Sequence, residues 1–236
     1  MRFTWDDKTT GWLAEAADYT GFYQKLAGLL LPYIRVRGTL CDMGCGMALT
    51  DIALTREIGQ ITCVDVDEAV VSAARREAAR RGAENLTFLR SDGLYAEGRW
   101  DTVIALFHGG MERFCVPYLS KANDRLLVVT HRADVGKSAR SCPNVTAKAA
   151  EWLDANGWRY VRQDAALEFG QPHRSAEEAL ECAAAFHPGL SADELRRRVM
   201  ASLQATGRDD YPYYTPKTRL FTIFALTRAD NEHLLL

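Results

Sequence analysis

The spacing of hydrophobic positions changes along the chain, and each change predicts a different element. Over residues 8–34, Trp12, Leu13, Ala16, Tyr19, Tyr23, Leu26, Ala27 and Leu30 recur at helical spacing. Gly21 marks a break between one helix and the next, and Pro32 lies near the end. From residue 39 short apolar runs take over, at 39–43, 61–66, 86–89, 102–107 and 125–130. They are continuous rather than alternating, as strands buried on both faces require. Helical stretches separate most of them. The clearest covers 68–81, where Asp67 caps the start, Val70, Val71, Ala74 and Ala78 form an inner stripe, and Gly82 stops it. Arg75, Arg76, Arg80 and Arg81 face the other way and read as a solvated face.

The last third reads differently. A helix near 144–156 leads to a strand near 159–168. Two helices over 175–205 are split at His187-Pro188-Gly189, and a strand over 219–227 closes the pattern. Alternating strands and helices predict a doubly wound α/β fold with a mostly parallel sheet and right-handed crossovers. The expected organisation is a helical cover over 1–35, an α/β core over 36–171 and a helical lid insertion over 172–216. The last core strand then covers 217–228, and a frayed tail 229–236.

Composition narrows the function classes. The chain has 236 residues, 47% hydrophobic and 25% charged, which is ordinary globular usage. Lys and Arg number 29 against 31 Asp and Glu, so a nucleic-acid partner is not expected. No apolar run reaches the roughly 18–20 residues of a membrane span, and no membrane association is expected. The first residues lack the apolar core of a signal peptide, so the expected compartment is the cytoplasm. Cysteines 41, 45, 63, 115, 142 and 182 contain no CxxC pair and read as reduced thiols, with no metal framework.

In an open α/β sheet, ligands bind beyond the carboxyl ends of the strands. The first strand ends in Asp42-Met43-Gly44-Cys45-Gly46-Met47-Ala48. Gly44 and Gly46 allow a sharp turn and close backbone approach. A dinucleotide fingerprint needs a third glycine where Leu49 stands, and the G-x-x-x-x-G-K phosphate loop is absent. Asp42 points an anion into the turn, which repels a pyrophosphate and suits an amine-bearing ligand. The second strand ends at Asp65, 21 residues beyond Gly44, where an acid accepts hydrogen bonds from ribose hydroxyls. The third ends in Arg90-Ser91-Asp92-Gly93 and the fourth in Phe107-His108-Gly109-Gly110.

These strand ends resemble those of class I S-adenosylmethionine-dependent methyltransferases over about residues 36–131. The resemblance implies a Rossmann-like sheet of seven strands, the last antiparallel, with S-adenosylmethionine as cofactor. It implies that Asp42 takes the cofactor's amino group and that Gly44, Cys45 and Gly46 line it. Asp65 would bind the ribose, with Val66 against the adenine. Asp92 would meet the adenine amino group, with Ser91 or Gly93 beside it. Phe107 and His108 would border the reacting methyl group. Two departures stand out. Ala48 replaces a frequent third glycine, and Leu106-Phe107-His108-Gly109 replaces the Asn-Pro-Pro-Tyr type of sequence, which argues against a DNA adenine or glutamine substrate.

Several residues carry two readings. His108 is either a general base or a ring packed against its neighbours. Asp92 is either an adenine contact or an Asx turn, and Cys45 reads as a small filler. Asp101, at the amino end of the fourth strand, reads as structural. His131, Tyr19, Tyr23, Tyr211 and Tyr214 are candidates for lining the substrate cavity. His173 and Arg174 open the insertion as candidates for a substrate anion. The expected function is methyl transfer to a small-molecule acceptor. The alternative is a protein of the same fold that binds a nucleoside cofactor without methyl transfer, as a partner subunit or an aminopropyl-type transferase. The oligomeric state is open, a homodimer included.

Overall fold

The computed structural model describes residues 6–132 and 145–235; Cys142 lies outside them. Helix α1 (Asp7–Thr20) starts at a capping box: the Asp6 carboxylate accepts from the Thr9 amide at 2.8 Å, and the Thr9 hydroxyl oxygen accepts from the Asp6 amide. It stops at Gly21, whose φ of 63° closes the cap. Helix α2 (Phe22–Leu30) follows and buries Phe22, Leu26 and Leu30.

Strand β1 (Thr39–Met43), helix α3 (Leu49–Leu54), strand β2 (Gln60–Asp65) and helix α4 (Glu68–Arg80) come next. Asp67 caps α4 through the Ala69 amide, and Val70, Val71, Ala74 and Ala78 are buried, as the pattern predicts. Its arginine face is less uniformly solvated than expected. Arg80 and Arg81 both bond the buried Glu77, and burial of the partner draws Arg81 in with it. Strands β3 (Leu86–Arg90) and β4 (Trp100–Leu106), helix α5 (Met111–Lys121) and strand β5 (Ala122–His131) complete the first half.

Helix α6 (Val145–Ala155) leads to strand β6 (Val161–Glu168) and a short strand β7 (Gln171–His173). Helices α7 (Ala176–Phe186) and α8 (Ala192–Ser202) are capped by Ser175 and Ser191 and split at His187, Pro188 and Gly189. Then come the short strands β8 (Gln204–Ala205) and β9 (Tyr213–Thr215), the long strand β10 (Thr218–Thr227) and helix α9 (Arg228–Asn231). No described helix is long and apolar enough to cross a membrane.

The chain divides into two compact units. The larger comprises 23–166 and 220–236. Its sheet has the order β3-β2-β1-β4-β5-β10-β6, with the pairs β3-β2, β2-β1, β1-β4 and β4-β5 parallel and β10 antiparallel to β5. This is the doubly wound, Rossmann-like sheet that the strand and helix alternation predicts. The central strands are buried on both faces, as continuous apolar runs require.

Two expectations fail in this unit. The run at 86–89 is not a doubly buried strand: β3 lies at the sheet edge, and Leu89 is 39% exposed. Residues 230–235 are not frayed. Asn231 is fully buried, donates to the Arg159 and Thr227 carbonyls at 2.9 Å, and accepts from the Arg159 amide at 2.8 Å. Its amide satisfies backbone groups that burial would otherwise leave unpaired.

The smaller unit comprises 1–22 and 167–219. It packs α1, α7 and α8 with an antiparallel sheet of order β7-β9-β8, which the sequence pattern did not reveal. Trp12 anchors α1 within it: the indole donates to Glu178 at 3.2 Å, and its ring lies 6.5 Å from that of Phe186.

Candidate functional site

The turn after β1 is built from left-handed backbone. Gly44 has φ +85° and Gly46 φ +55°. Ala48, at φ +53°, also occupies the region that favours glycine. The substitution at this position is therefore tolerated at a conformational cost, and not only because alanine is small. The amides of Gly44 and Cys45 both donate to the Val64 carbonyl of β2, at 2.8 and 3.0 Å. Asp65 then ties the two strand ends together. One carboxylate oxygen accepts from the Gly46 amide and the other from the Asp67 amide, each at 3.0 Å. Val66 beside it is 50% exposed.

Asp42 is 1% exposed, and one of its oxygens has no hydrogen-bond partner. Its neighbour is Asp51, in the first turn of α3, which is fully buried. Burial, with Asp51 beside it, pushes the Asp42 carboxyl well above the usual range. Burial pushes Asp51 up to about 7. Two carboxyls in one dry site share a proton more readily than they both ionise.

At the end of β3, the Asp92 carboxylate accepts from the Leu94 amide at 2.9 Å and lies 4.0 Å from Arg113. The Asx turn is thus present, and the same carboxylate keeps a cation near. The Ser91 hydroxyl donates to the Asp92 carbonyl at 3.1 Å. Gly93 is buried, and a Cβ there would meet the Tyr118 hydroxyl at 2.7 Å. Asp101 accepts from the Thr39 amide at 2.8 Å and pins β1 to β4, a structural role.

Beyond β4, Phe107 adopts φ +59°, an unusual conformation for a bulky residue, held by its amide bond to the Val129 carbonyl at 2.8 Å. Its ring stacks on His131 at 4.7 Å and meets Phe221 edge-on at 5.7 Å. The His108 ring stacks on Phe114 at 5.3 Å, and its Nε2 is buried with no hydrogen-bond partner. Burial lowers the His108 pKa, so the imidazole is neutral at neutral pH.

Three of the tyrosines meet in the smaller unit. Tyr19 stacks on Tyr214 at 4.9 Å and meets Tyr211 edge-on at 6.0 Å. The Tyr214 hydroxyl donates to Glu168 at 2.7 Å. Tyr23 belongs to the larger unit instead. Arg174 is engaged by Glu15 and Glu178, at 2.5 and 2.9 Å.

Residues 40–127 match the family described as a methyltransferase domain. Over this stretch the sequence is similar to methyltransferase domains. The fold agrees. A precorrin-6y C5,15-methyltransferase from Geobacter metallireducens is similar with a TM-score of 0.54 at 13% identity, over 86% of this chain and 88% of that one. The cyclase SpnF is similar with a TM-score of 0.57 at 18% identity, over 86% and 80%. Magnesium protoporphyrin IX methyltransferase from Synechocystis PCC 6803, solved with bound S-adenosylhomocysteine, reaches 0.50 at 17% identity, over 87% and 82%.

The residues around this turn fit S-adenosylmethionine. No heavy atom stands within 4 Å of where a Cβ on Gly46 would lie, so the turn leaves an open cradle beside Asp65. The exposed Val66 supplies an apolar surface there, and the orphaned Asp42 oxygen supplies an acceptor. Asp51 was missed in the sequence. The signal was an acid among Met47, Ala48, Leu49 and Leu54, on the side of α3 that packs inward.

Proposed function

We propose that the chain transfers a methyl group from S-adenosylmethionine to a small, partly apolar acceptor. The observation that carries this reading is the open cradle over Gly46, whose amide is bonded to Asp65. When bound, the cofactor supplies an electrophilic methyl group on a sulfonium. The chain's own residues then bind and orient. Asp65 keeps lone pairs for ribose hydroxyls beyond the two amide bonds it accepts. Val66 packs the adenine, with Asp92, Ser91 and Gly93 near its amino edge. Asp42, with Asp51 behind its charge, answers an ammonium: the approaching cation lowers its pKa and draws off the shared proton.

His108 stays neutral at neutral pH and offers the buried Nε2 to take a proton from an acceptor's hydroxyl, thiol or amine. Phe107 and His131 stack at the ends of β4 and β5, backed edge-on by the buried Phe221, and their partly exposed rings suit an apolar acceptor. Orientation of nucleophile, methyl carbon and sulfur in line can supply about 7–11 kcal/mol of the barrier. The near-neutral chain favours such an acceptor over a polyanion. Calorimetry with S-adenosylmethionine, S-adenosylhomocysteine and NAD, followed by a small-molecule screen for S-adenosylhomocysteine release, tests the reading. Binding of the first two without NAD, with turnover on a small acceptor, supports it. Tight NAD binding with no response to S-adenosylhomocysteine overturns it.

A further inference from the structure

The smaller unit holds a cavity of its own, of about 170 Å³. Leu13 of α1, Phe186 of α7 and Val199 of α8 form its apolar wall, with Phe169 beside them. Its polar side chains are Gln171, His173, His187, Thr215, Lys217 and Arg219. None of the described residues that line it is acidic. The nearby acids Glu15 and Glu178 are engaged by Arg174.

Two details make the polar side a prepared one. The Arg219 guanidinium lies 4.0 Å from the Phe169 ring centroid and 5.4 Å from that of Phe22, so two aromatic faces fix its plane. His173 is 2% exposed, and its Nε2 pairs with the Thr215 hydroxyl at 3.1 Å. Its Nδ1 is buried and has no hydrogen-bond partner. When Nε2 accepts from Thr215, Nδ1 carries the proton and is a donor in need of an acceptor. Buried polar groups without partners are rare in folded proteins, and a ligand site is one place where they persist.

We propose that this cavity binds a small amphipathic carboxylate, an alkyl or aryl chain ending in one acid group. The chain would lie against Leu13, Phe186 and Val199. The carboxylate would meet Lys217 and the Arg219 fork, with His173 Nδ1 as a further donor. A planar monoanion matches one guanidinium fork, and its single charge is the least costly anion to desolvate in so apolar a space. The site is argued from the smaller unit alone and does not rest on the methyl-transfer reading.

Calorimetry on the whole chain at neutral pH tests this, with octanoate, 4-phenylbutyrate, octanol and octylamine as probes. At least one acid is expected to bind about tenfold or more tightly than octanol, with octylamine weakest. The stronger of the two acids identifies an alkyl or an aryl chain. Arg219→Gln and Lys217→Gln should each erase most of the preference of acid over alcohol. Val199→Trp should fill the cavity and remove binding of both. Thermal melts followed by circular dichroism check that each variant folds, and the comparison of acid, alcohol and amine on the parent chain decides the matter without any variant. Acids that bind no better than octanol, no acid binding at millimolar concentration, or a folded Val199→Trp that binds like the parent would each overturn the proposal.

Discussion

The imidazole of His108 fills the space that a side chain on Gly44 would take. A Cβ built on Gly44 lies 2.9 Å from the His108 Cδ2 and 3.1 Å from its Nε2. The end of β4 thus closes over the end of β1, and glycine is required twice, for its φ of +85° and for this contact. Gly44→Ala should displace the ring and strain the turn, at a cost of about 1–3 kcal/mol. The melting temperature should fall by about 2–4 °C for each kcal/mol, and the His108 ring resonances should shift. An unchanged melt with unmoved resonances would refute the packing.

Asp65 holds the Gly46 amide and is placed for ribose hydroxyls at the same time. Asp65→Asn is expected to weaken S-adenosylhomocysteine binding by about 1–3 kcal/mol, the usual value of a hydrogen bond to a charged group. Titration calorimetry reads this directly. Parental affinity in a folded variant would remove Asp65 from the cofactor site.

His108 has a pKa lowered by burial, so its neutral form persists below the ordinary imidazole midpoint of 6.5. The acid limb of the kcat profile should therefore fall below that pH, with turnover flat above it. His108→Gln should abolish the limb and lower kcat by about 10²–10⁴-fold while S-adenosylhomocysteine affinity stays near parental. A variant with the parental profile would leave His108 as packing for Phe114.

Asp51 titrates near 7 in the folded chain against an ordinary value of 3.8. The folded state holds a proton that the unfolded chain releases. Its contribution to stability is full below about 3.8 and is lost as pH rises through about 7. Asp51→Asn mimics the neutral acid, so melts of the cofactor-free protein should show it stabilised relative to the parent at pH 8 and not at pH 4. Equal slopes of stability with pH in both proteins would overturn the buried-proton account.

Asn231 closes the end of the chain onto Arg159 and Thr227. Asn231→Ala leaves those backbone groups buried and unpaired, and should cost about 1–3 kcal/mol. A melt within error of the parent would mean that the terminal helix is dispensable.

The strand ends were legible because their chemistry is local. The order acid, glycine, glycine, acid over Asp42, Gly44, Gly46 and Asp65 is fixed by covalent spacing, and a parallel sheet must bring such ends to one edge. The Asp67 cap of α4 was legible for the same reason. Pairing across the sheet was not. Hydrophobicity alone could not show that the run at 86–89 is an edge strand, because exposure depends on which strand lies beside it. Nor could it show that Asn231 is a core residue, since its partner Arg159 lies 72 positions away.

The sequence by itself determined the doubly wound sheet, the acid-led glycine turn and the two helices before the last strand. These follow from backbone preference and from the period of apolar positions, which act within a few residues. Tertiary structure alone decided that His108 stands over Gly44, that Asp42 and Asp51 share a dry site, and that His173 and Arg219 line one cavity. Those relationships join residues far apart in the chain. Their chemistry depends on burial, which no residue carries until its distant neighbours have excluded the water around it.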